Sequence, residues 1–106
     1  MGMNLCVMHL TTSLCHPEWD DDKYSIDKVI VDLFRRDVLP LTRTKFDAFA
    51  ETYLTPERPT DLAIWKLNVK FIRVDDAEET GWLRERVSTL IKILENNPEF
   101  GVYISV

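Results

Sequence analysis

The chain has 106 residues, 18 acidic against 13 basic for a net charge of −5, and a hydrophobic fraction of 45%. That length suits one domain and is short for two, and the apolar share can fill a core without covalent staples. The acidic balance argues against non-specific binding to nucleic acid or an anionic membrane, which needs cationic patches, and leaves a basic protein surface as a partner.

In "MGMNL" the first two residues read as a cloning scar before a native start at Met3, so a single globular domain is expected over 3–106. Residues 3–10, "MNLCVMHL", form a nearly continuous apolar run too short for a helix core. They predict a strand covered on both faces. Residues 11–24 lose periodicity and contain Pro17, so a loop of about a dozen residues follows, longer than most connections in a compact domain. Ser25 suits an N-cap, and Ile26, Val29, Ile30, Leu33 and Phe34 then recur at helical spacing. Arg35 and Arg36 fall in the last turn and Pro40 prevents continuation.

Thr44 and Asp47 predict the opening of a shorter helix through Leu54, with Phe46, Phe49, Ala50, Tyr53 and Leu54 on its apolar face. From Ala63 to Val74, Trp65, Leu67, Val69 and Phe71 alternate with Lys66, Asn68 and Lys70, predicting a strand with one wet face and a bulge near Ile72. Asp76 with Glu79 opens a third helix whose Leu83, Val87, Leu90, Ile91 and Leu94 face the core, and Pro98 ends it. Phe100, Val102, Ile104 and Val106 alternate with Tyr103 and Ser105 in a closing strand. The expected class is therefore α+β, order β-α-α-β-α-β: a small single domain with a three-stranded sheet packed with helices in two layers. The last crossover could be parallel or antiparallel. Trp65 and Trp82 both fall in periodic segments and read as core.

The sharpest chemical candidates are Cys6, His9, Cys15 and His16. Tetrahedral zinc accepts two thiolates and two imidazoles, but Cys6 and His9 are three apart on a strand and point to opposite faces. Cys15 and His16 are adjacent, a spacing structural zinc sites seldom use. Two cysteines are too few for a disulfide framework and read as reduced thiols of a cytoplasmic protein. A calcium hand starting at Asp20 would need glycine at its sixth position and glutamate at its twelfth, where Ser25 and Val31 stand. With glycines only at 2, 81 and 101, no phosphate-cradling loop can be built, and no nucleophile-elbow or metalloprotease motif occurs. No catalytic residue, metal ligand or cofactor is assigned, and no segment approaches the ~18 apolar residues of a membrane span.

What remains is the stretch "HPEWDDDKYS". Glu18, Trp19, Asp20, Asp21, Asp22 and Tyr24 combine aromatic area with carboxylates that would steer a basic partner, and they are the partner-binding candidates. Acids also cluster at residues 75–79, and a shared side would make one face strongly negative. The expectation is a small acidic, non-enzymatic binding protein acting by surface occlusion. Examples by class are an immunity protein or antitoxin against a nuclease, or a phage-type inhibitor of a nucleic-acid-handling complex. It would contact a protein, with no direct nucleic-acid or membrane contact. Two other readings stand beside it. One is a small enzyme or metal-binding protein using His9, Cys15, His16 and Asp20, Asp21 and Asp22. The other is a structural module forming a homodimer through an exposed strand edge.

Overall fold

A computed structural model describes residues 4–19, 24–42 and 52–105. Its elements in chain order are β1 (Asn4–His9), α1 (Tyr24–Arg35), β2 (Thr52–Leu54), α2 (Thr60–Asn68) continued by a 3₁₀ turn (Val69–Phe71), α3 (Ala77–Asn96) and β3 (Phe100–Ser105). Three helices and a three-stranded antiparallel sheet give the α+β class expected from the sequence. The strand order is β1-β3-β2, so the C-terminal strand is central and the connection into it is antiparallel.

One face of the sheet is apolar and covered. Leu5 and Val7 of β1, Leu54 of β2, and Val102 and Ile104 of β3 are buried and share a core with Ile30, Leu33 and Phe34 of α1 and Leu83, Val87, Leu90 and Leu94 of α3. The alternate residues Cys6, Met8, Tyr53, Tyr103 and Ser105 lie on the other face, half-buried or exposed. Among the described residues no helix covers that second face, which corrects the expected double covering of β1. Its intervening residues are apolar in type but face away from the helices, as the period of two requires.

The segment from Ala63 to Val74 is also corrected, from a strand to α2 and its 3₁₀ continuation. Alternation and helical periodicity share Trp65 and Val69. The helical set Leu62, Trp65, Val69 and Ile72 runs at spacings of three, seven and ten, and it is this set that turns inward, with Val69 half-buried against the core. Leu67 and Phe71, which alternation would bury, are 65% and 70% exposed. Trp65 donates through Nε1 to Pro40 O at 2.7 Å and meets Phe34 edge-on at 5.4 Å, so its expected place in the core holds.

The helix expected from Thr44 through Leu54 lies largely outside the described residues, and its last three form β2. There Tyr53 faces away from the core, paired with Tyr103 at a ring separation of 4.7 Å. By contrast α3 follows its sequence pattern: Asp76 accepts from the Glu78 and Glu79 N–H groups at 2.8 and 3.0 Å, and Leu83, Val87, Leu90, Ile91 and Leu94 are buried. Arg58 then ties the far end of α3 to the sheet, donating to Leu94 O at 2.8 Å and Phe100 O at 2.7 Å.

Candidate functional site: an acidic aromatic face

The loop after β1 folds back on that strand's free edge. His9 N–H donates to Leu14 O at 2.8 Å and His16 N–H to Val7 O at 2.7 Å, with a bridge between Met8 and Cys15. Ser13 takes the left-handed backbone conformation, φ 60°, that such a tight reversal uses. Within this hairpin Cys6 and Cys15 are joined as a disulfide, which corrects their reading as reduced thiols. Neither imidazole has its Nδ1 free: His9 accepts from Thr11 and Thr12 N–H, each at 3.1 Å, and His16 from Glu18 N–H at 3.1 Å. Both rings stand edge-on to Phe100, at 5.1 and 4.9 Å. Among the described residues no three His, Cys, Asp or Glu side chains converge to hold a metal. The arrangement of His9, Cys15 and His16 is that of a pinned loop.

Trp19 closes the loop and is the main correction to the candidate site. It is 4% exposed, not presented to a partner. Its Nε1 donates to Leu5 O at 3.2 Å, satisfying a second carbonyl on the free edge of β1. The Arg86 guanidinium lies 3.5 Å from its ring centroid and bonds Asp27 through both oxygens, at 3.0 and 3.2 Å. Asp27 and Arg86 are themselves buried. Loop, β1, α1 and α3 therefore meet in one polar column inside the core. A buried guanidinium needs a bidentate carboxylate and tolerates a flat aromatic face, and the column supplies both.

Of the other candidates, Glu18 is exposed. Asp20, Asp21 and Asp22 lie outside the described residues, and Tyr24 is the first residue of α1. What the fold brings together is the start of α1 and the start of α3: Ile26, Val29, Val74, Glu79 and Leu83 line one small cavity of about 40 Å³ between them. Asp75, Asp76, Glu78 and Glu79 are exposed at this end. α1 thus begins beside the acidic opening of α3; the expected shared acidic side also involves Asp20, Asp21 and Asp22, which lie outside the described residues.

Trp82 stands in this acidic surface at 49% exposure, which corrects its placement in the core. Glu78 and Glu79 precede it by four and three residues and Glu85 follows by three, so all three lie next to it on α3. The buried arc of α3 is filled by Leu83, Arg86, Val87 and Leu90, and Trp82 lies at its margin. The site missed by sequence reasoning had a signal: an aromatic flanked by acids at helical spacing.

Away from this end, α2 carries exposed Lys66, the 3₁₀ turn Lys70 and the segment after it Arg73, with Lys66 paired to Glu95 and Lys70 5.2 Å from the Phe71 ring centroid. Burial lowers the pKa of Arg58, with nearby Glu99 opposing the shift. A cation depressed in this way weakens the fold wherever it is charged in both states. At neutral pH it holds its two carbonyls as a cation.

The class defined by these features is a two-layer α+β domain with helices on one sheet face and an acidic, tryptophan-bearing end. No family model, curated protein or solved structure matches the chain. No helix among the described residues is long and apolar enough to cross a membrane.

Proposed function

We propose that this chain is a small acidic, non-enzymatic binding protein that inhibits another protein by occupying a basic surface, in the manner of an immunity protein, an antitoxin or a phage-type inhibitor of a nucleic-acid-handling complex. The observation that carries the reading is Trp82. Helix-dipole complementarity accounts for Asp76, Glu78 and Glu79 at the start of α3. It gives no reason for a tryptophan half out of the fold among them. A desolvated aromatic ringed by charge is the composition of an interface hot spot, and the carboxylates would speed encounter with a cationic partner. Exposed Glu18 belongs to the partner-binding set in this reading, and so do Asp20–Asp22, which lie outside the described residues. Action in the cytoplasm, on a nuclease or a nucleic-acid-handling complex, belongs to the same proposal.

The test begins with affinity capture from the native host, and then measures kinetics with the captured partner. Glu78→Lys with Glu79→Lys should slow association by roughly tenfold at low salt and flatten its salt dependence. Trp82→Ala should raise the dissociation rate by roughly tenfold or more. Rates indifferent to all three changes would remove this face from the interface.

A further inference from the structure

The outward set of β1 and the loop that returns on it gather sulfur. His9 N–H donates to Leu14 O and His16 N–H to Val7 O, and these two bonds flank Met8 and Cys15 on either side. Met8 and Cys15 are therefore a non-hydrogen-bonded antiparallel pair, with Cα atoms about 4.5 Å apart and side chains on one face. Cys6 precedes Met8 by two residues, so it shares that face, and it is joined to Cys15 across a Cα separation of 6.3 Å. Two cysteine sulfurs and a thioether are thus collected around Cys15, which is exposed, while Cys6 and Met8 are half-buried. The Tyr53 hydroxyl donates to Met8 Sδ at 3.3 Å, which holds the thioether and leaves its second lone pair available.

We propose that the reduced chain binds one Cu(I) ion through Cys6 Sγ, Cys15 Sγ and Met8 Sδ. Thiolate and thioether are the soft donors that select Cu(I), and a closed-shell ion accepts three of them without a demanding geometry. The neighbouring imidazoles do not make this a zinc site instead. Nδ1 of His9 accepts from Thr11 and Thr12 N–H, and Nδ1 of His16 from Glu18 N–H. In each neutral ring Nε2 therefore carries the proton and has no lone pair for a metal. Ligation through Nδ1 would leave those N–H groups without their acceptor. Tetrahedral zinc needs four ligands, and among the described residues no third His, Cys, Asp or Glu joins the two cysteines.

Oxidation state decides whether the site exists. In the disulfide each Sγ is bonded to the other and neither is a thiolate, so the oxidised chain has no site. A small dithiol opens the bond, giving up two electrons and two protons and ending as its own disulfide. Cu(I) then displaces both thiol protons, forms two bonds to thiolate and accepts the thioether, with no change in its own oxidation state. The hairpin keeps its shape through the exchange, because its backbone bonds and the bond from Trp19 Nε1 to Leu5 O involve no sulfur. The inference is independent of the acidic end and of any partner bound there.

The test is an anaerobic titration with Cu(I) of the whole chain, reduced by a dithiol and freed of it by gel filtration, in competition with the coloured chelator bathocuproine disulfonate. The reduced chain should withdraw one equivalent of Cu(I), and the air-oxidised chain none. Met8→Leu, which nearly conserves volume, should weaken the site by about tenfold or more, at least what loss of a metal's outer support costs. His9→Gln with His16→Gln should leave the affinity within about twofold. Copper-edge X-ray absorption of the loaded chain should fit sulfur alone. A reduced chain that retains no Cu(I), an affinity indifferent to Met8→Leu, or nitrogen in the copper shell overturns the proposal. Should a variant fail to fold, the absorption edge of the unaltered chain decides: three sulfurs support the site, and two overturn it.

Discussion

Trp19→Ala removes a side chain that is 4% exposed, lies 3.5 Å from the Arg86 guanidinium and bonds Leu5 O at 3.2 Å. Truncating a buried tryptophan costs about 3–5 kcal/mol, from lost transfer energy and the cavity left behind. The indole N–H bond adds about 1 kcal/mol, because Leu5 O on the strand edge must find water instead. The guanidinium loses its aromatic cover, but it keeps both Asp27 oxygens and gains access to solvent, so little more is expected there. The total, about 4–6 kcal/mol, is a large share of the roughly 5–15 kcal/mol that holds a domain of this size together. At about 4 °C per kcal/mol the melting temperature should fall by roughly 15–25 °C. Trp19→Phe keeps a ring against Arg86 and loses the N–H bond and some volume, so about 1–2.5 kcal/mol is expected. Trp82→Ala, at an exposed position, should cost no more than about 1 kcal/mol. Urea unfolding followed by far-ultraviolet circular dichroism measures all three without relying on the fluorophore being removed. If Trp19→Ala stays within about 0.5 kcal/mol of the parent and Trp82→Ala is the costlier change, the inward and outward assignments of the two tryptophans are wrong.

The Asp27–Arg86 pair should show strong coupling in a double-mutant cycle: each alanine alone costs about 3–5 kcal/mol by stranding a buried charge. The pair changed to Asp27→Leu with Arg86→Met should cost less than either, and additive losses in urea titrations would contradict the buried bidentate pairing. Cys15→Ser should lower stability by about 2–3 kcal/mol under oxidising conditions, the loop entropy for a closure over nine positions, and by little under reductant. Two thiols titrating at once in air-oxidised native protein would show that the pair is not joined. Gly101→Ala should destabilise by about 1 kcal/mol, since Leu10 can swing aside but Leu54 O, 3.2 Å from the added Cβ, belongs to the backbone of the neighbouring strand. A stabilised variant would mean that β2 yields freely.

The parts of the fold legible in the sequence are those whose signals are local. Asp76 caps α3 through the N–H groups of the next two and three residues, and the apolar period of α3 needs nothing from elsewhere in the chain. The closing strand was legible for the same reason: Val102 and Ile104 alternate with Tyr103 and Ser105, and the two sets face opposite sides. Residues 63–74 were not, because two periods fit them and local propensity does not choose. The choice falls to Leu62 and Ile72, both nearly inaccessible to solvent, which complete the helical set and would break the alternating one. The outward set of β1 was hidden by composition, since Cys6 and Met8 are as apolar in type as buried Leu5 and Val7.

The exchange of the two tryptophans follows from Arg86, a residue that the sequence offers only as one more base on a helix. Its place on the buried arc of α3, between Leu83 and Leu90, puts a guanidinium where water cannot reach it. Such a group stays in the core only if it is neutralised and covered. Asp27, 59 residues earlier, supplies the carboxylate, and Trp19 supplies the cover while bonding β1. Trp19 is thereby drawn inward. The helix that drew it in carries another, Trp82, four residues before Arg86 and beside Glu78 and Glu79. The combination of aromatic and acidic groups inferred from the chain is therefore present on the folded surface, built on a different tryptophan. The reason lies in a long-range pairing that no local window of the sequence contains.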